Sequence, residues 1–331
     1  MYKTPYHTHN ISESSFLVTG GAGFIGSNIV EYLIKFNAGK VRVIDNLSNG
    51  FLQNLSEFKD CPNFEFIEGD ICLMKDCIDS MKGIDFVFHQ AALGSVPRSI
   101  ENPIATNNAN VNGFLNVLIA ARDSKVKRLI YASSSSVYGD SPSLPKKEEV
   151  IGKPLSPYAV SKLVNEQYAD IFAKTYGMQI VGLRYFNIFG PRQNPNGAYA
   201  AAIPLFMDAI LKNKSPFING DGNQTRDFTF VENAVQANVK AMFSDGVGIN
   251  PEVFNIAVGE RISVNQLYDI LKAIGQSDLE ATHRGERAGD VKNSLADIAK
   301  AIHMIGYDPK FKCEEGLQIT FDWFKNNFKT Q

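Results

Sequence analysis

Short apolar runs alternate with amphipathic stretches along the first half of the chain. Six runs of four or five residues stand out: 16–19, 41–45, 64–67, 86–89, 129–133 and 180–184. The stretches between them place apolar residues on one helical face, as Ile29, Val30, Leu33 and Ile34 do. Strands that alternate with helices of this length form a parallel sheet covered on both faces. The pattern predicts an α/β fold with a Rossmann-type, doubly wound parallel sheet.

The alternation of apolar runs and amphipathic stretches ends after residue 189, where loops rich in Asn, Gly and Pro precede short elements. We therefore expect a Rossmann domain at 1–188 and a smaller C-terminal α/β substrate domain at 189–331, and we allow for the chain crossing back to the first. A cleft between two such domains is a common place for a ligand.

Composition and charge exclude several classes of protein. The 331 residues carry a net charge of −2, which gives no general attraction to nucleic acid or to an anionic membrane. The four cysteines lack metal-binding spacing, which indicates reduced thiols, and we expect no metal site. No apolar run approaches the ~20 residues of a membrane span, and the first 13 residues, with His7 and His9, are polar and predicted to be flexible. We expect a cytoplasmic protein.

A glycine-rich turn follows the first predicted strand and opens the first helix. Gly20, Gly23 and Gly26 allow a tight turn, close approach of a pyrophosphate and close packing of the helix on the strand. Free N–H groups at the helix start then face the phosphates. Asp45 ends the second strand, where a carboxylate accepts from the ribose hydroxyls and repels a 2′-phosphate. The pattern favours NAD over NADP.

A tyrosine and a lysine share one face of a later helix. Tyr158 and Lys162 lie four residues apart, after a helix start at Ser156-Pro157. A phenol titrates near ~10 and is a poor base at neutral pH, but a nearby cation lowers that pKa. The sequence therefore predicts a proton shuttle at Tyr158.

Four serines, 133–136, interrupt the end of the fifth predicted strand. The carboxyl end of a parallel strand is where such folds place chemistry, and a hydroxyl there can bond a reacting oxygen. His89 ends another apolar strand and is interpreted as a packed histidine rather than a base.

These motifs together resemble the extended short-chain dehydrogenase/reductase family, and within it the nucleotide-sugar epimerases, most of all UDP-N-acetylglucosamine 4-epimerases. The resemblance implies catalysis by Ser134, Tyr158 and Lys162 with tightly bound NAD. The cofactor residues that it implies are Gly20, Gly23, Phe24, Ile25, Asp45, Asn46, Ser48, Gly50, Asp70, Ile71, Gln90, Ala91, Ala92, Asn110, Ser133, Tyr158, Lys162 and Tyr185.

The substrate implied by the resemblance is a UDP-sugar. The residues expected to contact it are Gly94, Ser95, Val96, Ser134, Ser135, Tyr158, Asn187, Gln193, Ala201, Phe217, Asn219, Arg226, Arg287, Asp290 and Ser294. Two well-spaced arginines suit a diphosphate, because the guanidinium fork matches phosphate oxygens. In relatives a tyrosine at the position of Ser294 restricts the enzyme to sugars without an acetamido group, so a serine predicts room for one.

The two residues after Ser134 indicate which reaction the enzyme catalyses. Related 4,6-dehydratases carry Asp and Glu there, and sugar-acid decarboxylases carry Glu, whereas this chain has Ser135 and Ser136. Neither serine can replace a carboxyl group in acid–base chemistry. We therefore expect reversible C4 epimerisation of UDP-GlcNAc and UDP-GalNAc, with UDP-Glc and UDP-Gal as further substrates. A one-way nucleotide-sugar reductase, dehydrogenase or dehydratase and a non-catalytic NAD-binding sensor remain as alternatives.

The helices near 98–123 and 157–176 carry apolar residues beyond one core-facing stripe, including Val160, Leu163, Val164 and Tyr168. Relatives pair these helices across a twofold axis, which implies a homodimer with a four-helix interface.

Overall fold

The computed structural model describes residues 1–195, 201–247, 252–285 and 292–327. Its first half alternates strands and helices as the apolar runs predict. The elements in order are β1 (Ser15–Thr19), α1 (Phe24–Lys35), β2 (Lys40–Asp45), β3 (Phe64–Glu68), α2 (Met74–Met81), β4 (Phe86–His89), α3 (Val96–Glu101), α4 (Pro103–Asn107), α5 (Gly113–Asp123), β5 (Arg128–Ser134), α6 (Pro157–Tyr176) and β6 (Ile180–Tyr185). Short 3-10 turns lie at Leu52–Leu55 and Ser135–Tyr138.

The second half consists of shorter strands and longer loops. Its elements are β7 (Ile188–Phe189), α7 (Ala202–Leu211), β8 (Phe217–Asn219), β9 (Thr225–Arg226), β10 (Thr229–Phe230), α8 (Val231–Phe243), β11 (Glu252–Ile256), β12 (Ile262–Ser263), α9 (Val264–Gly275), β13 (Thr282–Arg284), α10 (Ala299–Ile305) and α11 (Cys313–Asn327). In these described ranges no helix has both the length and the apolar character of a membrane span.

Seven parallel strands form the central sheet in the order β11-β6-β5-β4-β1-β2-β3. The predicted Rossmann-type fold is confirmed. Because β1 lies between β4 and β2, the strand order reverses at β1, and ligands of such sheets bind outside the carboxyl ends of the strands at that point. The cofactor should therefore lie beside the end of β1.

The chain returns to the first sheet after residue 189. Helix α8 packs against α1, β5 and β6, and β11 pairs with β6 in the central sheet. The last part of the sheet is thus built from residues beyond the expected boundary, by the kind of crossover that the sequence analysis allowed for. The division at residue 188 stays a prediction about folding units.

The stretch near 98–123, where helix is predicted, is divided at two places. Asn102 ends α3 and caps α4, because its side chain accepts a hydrogen bond from the N–H of Ala105 and Pro103 has no N–H to continue the first helix. A π-helical turn at Asn108–Asn112 then joins α4 to α5. Such turns are frequent at functional sites.

The first residues, predicted to be flexible, pack onto the Rossmann domain. Tyr2 is fully buried, and the Nδ1 of His7 lies 2.7 Å from the hydroxyl of Tyr32 on α1. The prediction was wrong because polarity along the sequence does not reveal the aromatic partners that Tyr32 and Phe243 supply.

Candidate active site

The turn between β1 and α1 requires glycine at two positions. Gly20 has a φ of +68°, and a Cβ on it would lie 2.6 Å from the backbone nitrogen of Ala91. A Cβ on Gly26 would lie 2.2 Å from the carbonyl oxygen of Gly20. Gly23 caps α1 without a side-chain hydrogen bond, so the first N–H groups of the helix are available to an anion. This turn has the shape that a pyrophosphate needs.

A cavity of about 380 Å³ opens beside this turn, at the carboxyl ends of the sheet strands. Eleven of the predicted cofactor residues line it: Gly20, Gly23, Asp45, Asn46, Ser48, Gly50, Asp70, Ile71, Gln90, Ala91 and Ala92. The wall combines small residues with polar side chains, as a dinucleotide with two ribose rings requires. The residues present therefore fit NAD.

Asp45 is nearly buried in the cavity wall. Its Oδ2 accepts a hydrogen bond from the N–H of Ala22 at 3.0 Å, and its Oδ1 accepts from the N–H of Leu47 at 2.8 Å. Burial raises the pKa of this carboxyl, and the backbone donors oppose that shift. A carboxylate has about four acceptor positions, so Asp45 keeps capacity for ribose hydroxyls while it holds its own loop.

Eight further residues, which the sequence did not identify as cofactor residues, line the cavity: Ile44, Asn49, Gly69, Cys72, Leu93, Ala105, Asn108 and Ala109. Most are apolar or small, and they reach the wall through the strand ends and the broken helix. The π-helical turn carries Asn108 and Ala109 to this surface, and no local sequence pattern announces it.

The remaining predicted cofactor residues lie outside the cavity wall. Phe24 and Ile25 begin α1 and pack against the hydrophobic core. The Tyr185 hydroxyl donates to Oε1 of Gln90 at 3.2 Å and thus contacts a wall residue. The Ser133 hydroxyl donates to the carboxylate of Glu166 at 2.5 Å, which commits its side chain elsewhere.

Asn110, in the π-helical turn, connects the cavity to α6. It is almost fully buried; its Oδ1 accepts from the N–H of Leu93 at 2.8 Å, and its Nδ2 donates to the Ser161 hydroxyl at 3.1 Å. Ser161 in turn donates to the carbonyl oxygen of Tyr158 at 2.8 Å. The amide therefore fixes the position of Tyr158 relative to the cavity wall.

The structure brings the three predicted catalytic residues together at the end of β5. Helix α6 begins as predicted at Pro157, and the Ser156 hydroxyl caps it by accepting from the N–H of Ala159 at 3.1 Å. The Ser134 side chain lies beside the Tyr158 hydroxyl and lowers the pKa of that group. Lys162 lies one turn further along the helix, and its Nζ donates to the carbonyl oxygen of Ala132 at 2.7 Å.

The pKa of Tyr158 moves in the direction opposite to the prediction. Burial raises it above 10, and the hydrogen bond with Ser134 opposes this only in part. Burial also lowers the pKa of Lys162 to about 8, while the charge of Glu166 acts in the other direction. Desolvation disfavours the charged form of both groups, and in this structure it is the largest influence on the pKa of each.

Ser135 and Ser136 follow Ser134 in a 3-10 turn, where the Ser136 N–H donates to the Ser134 oxygen at 3.2 Å. The Ser136 hydroxyl is buried without a hydrogen-bond partner among the described residues. His89 is packed as expected: its Nδ1 contacts the Thr19 hydroxyl at 2.8 Å, and burial lowers its pKa to about 3. It is therefore neutral at physiological pH.

The predicted substrate residues lie on several connected segments. Gly94, Ser95 and Val96 connect the cavity wall to α3, and the Ser95 hydroxyl caps that helix by accepting from the N–H of Arg98. Asn187 donates to the carbonyl oxygen of Asp227 at 3.0 Å. Gln193 keeps its Oε1 buried, with no hydrogen-bond partner in the described part of the chain. Ala201 precedes α7 and is exposed.

Phe217 and Asn219 lie on β8, which pairs with β13. The Arg284 guanidinium lies 5.3 Å from the centre of the Phe217 ring, and its Nε donates to Oδ1 of Asn219 at 2.7 Å. Arg284 has no local sequence signal, because only the β8–β13 pairing places it beside these residues. Arg226 lies on β9, where its Nη1 donates to the carbonyl oxygen of Thr225 at 2.9 Å. Arg287 and Asp290 lie outside the described residues.

Ser294 belongs to an extended segment that is held from both sides. Its N–H donates to the carbonyl oxygen of Thr225 at 3.0 Å, and the next residue, Leu295, accepts from the N–H of Lys146 at 2.8 Å. The buried carboxylate of Asp227 also accepts from the N–H of Ala296 at 3.3 Å. Asp227 is a further residue that the sequence analysis did not assign, although it lies beside Arg226.

Comparison with known proteins agrees with this geometry. The model of the NAD dependent epimerase/dehydratase family matches residues 16–257. A putative UDP-glucose 4-epimerase of Methanocaldococcus jannaschii is 40% identical over 95% of this chain and 99% of its own length. A UDP-glucuronate 4-epimerase of Thermodesulfobacterium geofontis is 35% identical over 95% of this chain and 97% of its own. Among solved structures, a UDP-N-acetylglucosamine 4-epimerase of Methanobrevibacter ruminantium M1, in complex with UDP-N-acetylmuramic acid, is 42% identical with a TM-score of 0.89 and covers 95% of this chain and 99% of its own.

Proposed function

This chain belongs to the NAD dependent epimerase/dehydratase family, and from that premise we propose that it interconverts UDP-N-acetylhexosamines at C4 through a 4-keto intermediate. NAD is its cofactor. The observation that carries the proposal is that α6 and the end of β5 place Tyr158 beside Ser134, with Lys162 one turn further along the helix. Asn110 ties this group to the wall of the cofactor cavity.

Each catalytic side chain has one task in this proposal. Tyr158 accepts the proton of the C4 hydroxyl in its phenolate form, and Ser134 holds the same oxygen by its hydroxyl. Because burial favours the neutral phenol, the Lys162 ammonium has the task of stabilising the phenolate. When bound, NAD⁺ supplies the acceptor for the C4 hydride and, as NADH, the donor that returns it to the other face of the sugar. Because no carboxylic acid follows Ser134, water is not eliminated and the 4-keto sugar is reduced again.

Epimerisation also requires that the nucleotide is bound firmly and the sugar loosely, since the 4-keto sugar must rotate in the site to present its other face. Asn187, Arg226 and the β8 residues Phe217 and Asn219 are proposed to hold the uridine diphosphate, together with Arg287 and Asp290. The β8–β13 ladder and the link between Asn187 and Asp227 give these segments fixed positions. Such rigidity favours binding without large entropic cost.

We infer the acetylated substrate from the small residues expected around the sugar. Ser294 is only half-buried and has a short side chain. The Oε1 of Gln193, which has no hydrogen-bond partner among the described residues, is an acceptor suited to an amide N–H. The relatives named for UDP-glucose and UDP-glucuronate make those UDP-sugars the competing candidates.

The function is tested by supplying UDP-GlcNAc, UDP-Glc and UDP-glucuronate separately and following the C4 configuration by proton NMR. We expect UDP-GlcNAc to yield UDP-GalNAc with the highest kcat/KM, and without added cofactor, because NAD is regenerated in every cycle. The purified protein should release NAD when denatured. Accumulation of NADH one for one with consumed sugar would indicate a one-way dehydrogenase, and absence of any turnover would favour a binding protein.

A homodimer is proposed through α3, α4, α5 and α6. Ile100, Ile104, Val160 and Ile171 are about half or more exposed on three of these helices (57%, 73%, 49% and 55%), as expected of a face that a second copy covers. We expect a dimeric mass by light scattering at micromolar concentration. A strictly monomeric mass would contradict this, and a pair of charges at Val160 and Ile171 should dissociate the dimer. The cytoplasmic location stays a prediction.

A further inference from the structure

Helix α6 contacts the end of β5 through three residues that follow one another at intervals of one turn: Tyr158, Lys162 and Glu166. Their partners are three consecutive strand residues: Ser134, Ala132 and Ser133. Residues four apart share one helix face, so a single face of α6 contacts the end of β5. The first two contacts belong to the proposed catalytic centre. The third, between Glu166 and Ser133, has no part in it.

Glu166 is a buried carboxylate in a fixed position. Its Oε1 accepts from the Ser133 hydroxyl at 2.5 Å and from Nε of Arg184 at 2.9 Å, and its Oε2 accepts from Nη2 of Arg184 at 2.8 Å. The two side chains are only 5% and 9% exposed. Arg184, on β6, is held in turn by the carbonyl oxygen of Glu148 and lies over the Tyr138 ring.

Stability alone does not account for this arrangement. A buried ion pair is often no more stabilising than apolar residues of the same volume, because both charges lose their hydration. What the pair does provide is a carboxylate with one possible orientation, joined to two strands of the sheet. It also places a negative charge one helical turn behind the Lys162 ammonium.

We propose that Glu166, which in the described part of the chain contacts neither the cofactor cavity nor a predicted substrate residue, is a positioning residue that sets the register of α6 on β5 and keeps a counter-charge behind Lys162. The inference rests on the proposed role of Tyr158 and Lys162. In a helix fixed in this way, the Tyr158 and Ser134 hydroxyls meet and the lysine faces a carbonyl oxygen rather than the carboxylate.

The charges around Lys162 give the direction of the pH effect. Burial lowers the pKa of Lys162 to about 8, and Glu166 opposes this. His89 on β4 is neutral, Arg184 on β6 is neutralised by Glu166, and Tyr158 is uncharged while its pKa stays high. Removing the Glu166 charge should therefore lower the pKa of Lys162 further, so that the ammonium is lost at a lower pH.

The test compares Glu166→Gln with the parent over a range of pH. We expect kcat to fall roughly tenfold or more, because a small misplacement of catalytic groups is costly, with KM unchanged within twofold. The alkaline limb of the kcat profile should move down by about one pH unit. Asp170→Asn is the matched control, since it removes a carboxylate and its ion pair with Lys174 one turn beyond Glu166 on the same helix, where the Asp170 side chain is 40% exposed; it should leave both values unchanged.

Two more variants separate position from charge and remain informative if Glu166→Gln does not fold. Glu166→Asp and Ser133→Ala both keep the negative charge but break the hydrogen bond at 2.5 Å. Both should lower kcat while the alkaline limb stays at the pH of the parent. If both retain the kcat of the parent, the positioning role is overturned.

The lysine itself provides a readout that does not depend on turnover. In protein labelled with ¹³C-lysine, the NMR signal of Lys162 is identified as the one missing from the spectrum of Lys162→Met. The pH at the midpoint of its titration should be lower in Glu166→Gln than in the parent. A midpoint and an alkaline limb equal to those of the parent would overturn the counter-charge role. Failure of the proposed centre looks different, since Tyr158→Phe would then be active whatever Glu166 does.

Discussion

Tyr158→Phe should retain NAD and the stability of the parent but lose about a hundred- to ten-thousandfold of its turnover, the range that one acid–base group contributes. The ring stays in place and only the hydroxyl is lost, whose partner is Ser134. The helix start at Ser156 and the Asn110–Ser161 link are untouched, because both bind the backbone. The variant should therefore lose proton transfer while NAD binding and folding stay as in the parent.

The measurement is kcat for conversion of UDP-GlcNAc, with NAD quantified after denaturation and the thermal midpoint recorded. Tyr176→Phe is the matched control: it makes the same change on the same helix, at a tyrosine that is 48% exposed. It should behave as the parent does. A Tyr158→Phe variant within about twofold of the parent would show that another group accepts the proton.

Ser294→Tyr should shift the substrate preference away from acetylated sugars. The new ring would fill the space assigned to the 2-acetamido group, and steric overlap in a packed site costs ~1–3 kcal/mol, or roughly ten- to a hundredfold in rate. The segment cannot retreat easily, because Thr225 holds Ser294 on one side and Lys146 and Asp227 hold the residues after it. UDP-Glc and UDP-Gal lack the group and should still be converted.

Discrimination is read from kcat/KM for both sugar pairs on one preparation, since only that ratio reports it. Ser294→Ala separates loss of the hydroxyl from added volume and should keep the preference of the parent. If Ser294→Tyr converts UDP-GlcNAc as well as the parent does, Ser294 does not border the C2 substituent. The acetylated substrate would then lose its main support, while C4 epimerisation would stand.

The sequence by itself determined the features whose physics is local. Spacing of apolar residues predicted six of the seven strands of the parallel sheet, and the glycines after β1 predicted a turn that admits no Cβ at Gly20 or Gly26. Ser156-Pro157 fixed the start of α6, and therefore the shared face of Tyr158 and Lys162. Each of these signals spans a few residues, within which backbone geometry and side-chain size leave few alternatives.

The tertiary structure decided what depends on residues distant in the chain. It reversed the expected direction of the Tyr158 pKa shift, because burial is a property of the surroundings. It brought Arg184 and Ser133 to Glu166, and Arg284 to Phe217, through strand pairings between separate segments. It also broke the stretch 98–123 so that Asn110 points inward. Desolvation and packing act between surfaces that only the folded chain brings together, and for that reason no local pattern could reveal them.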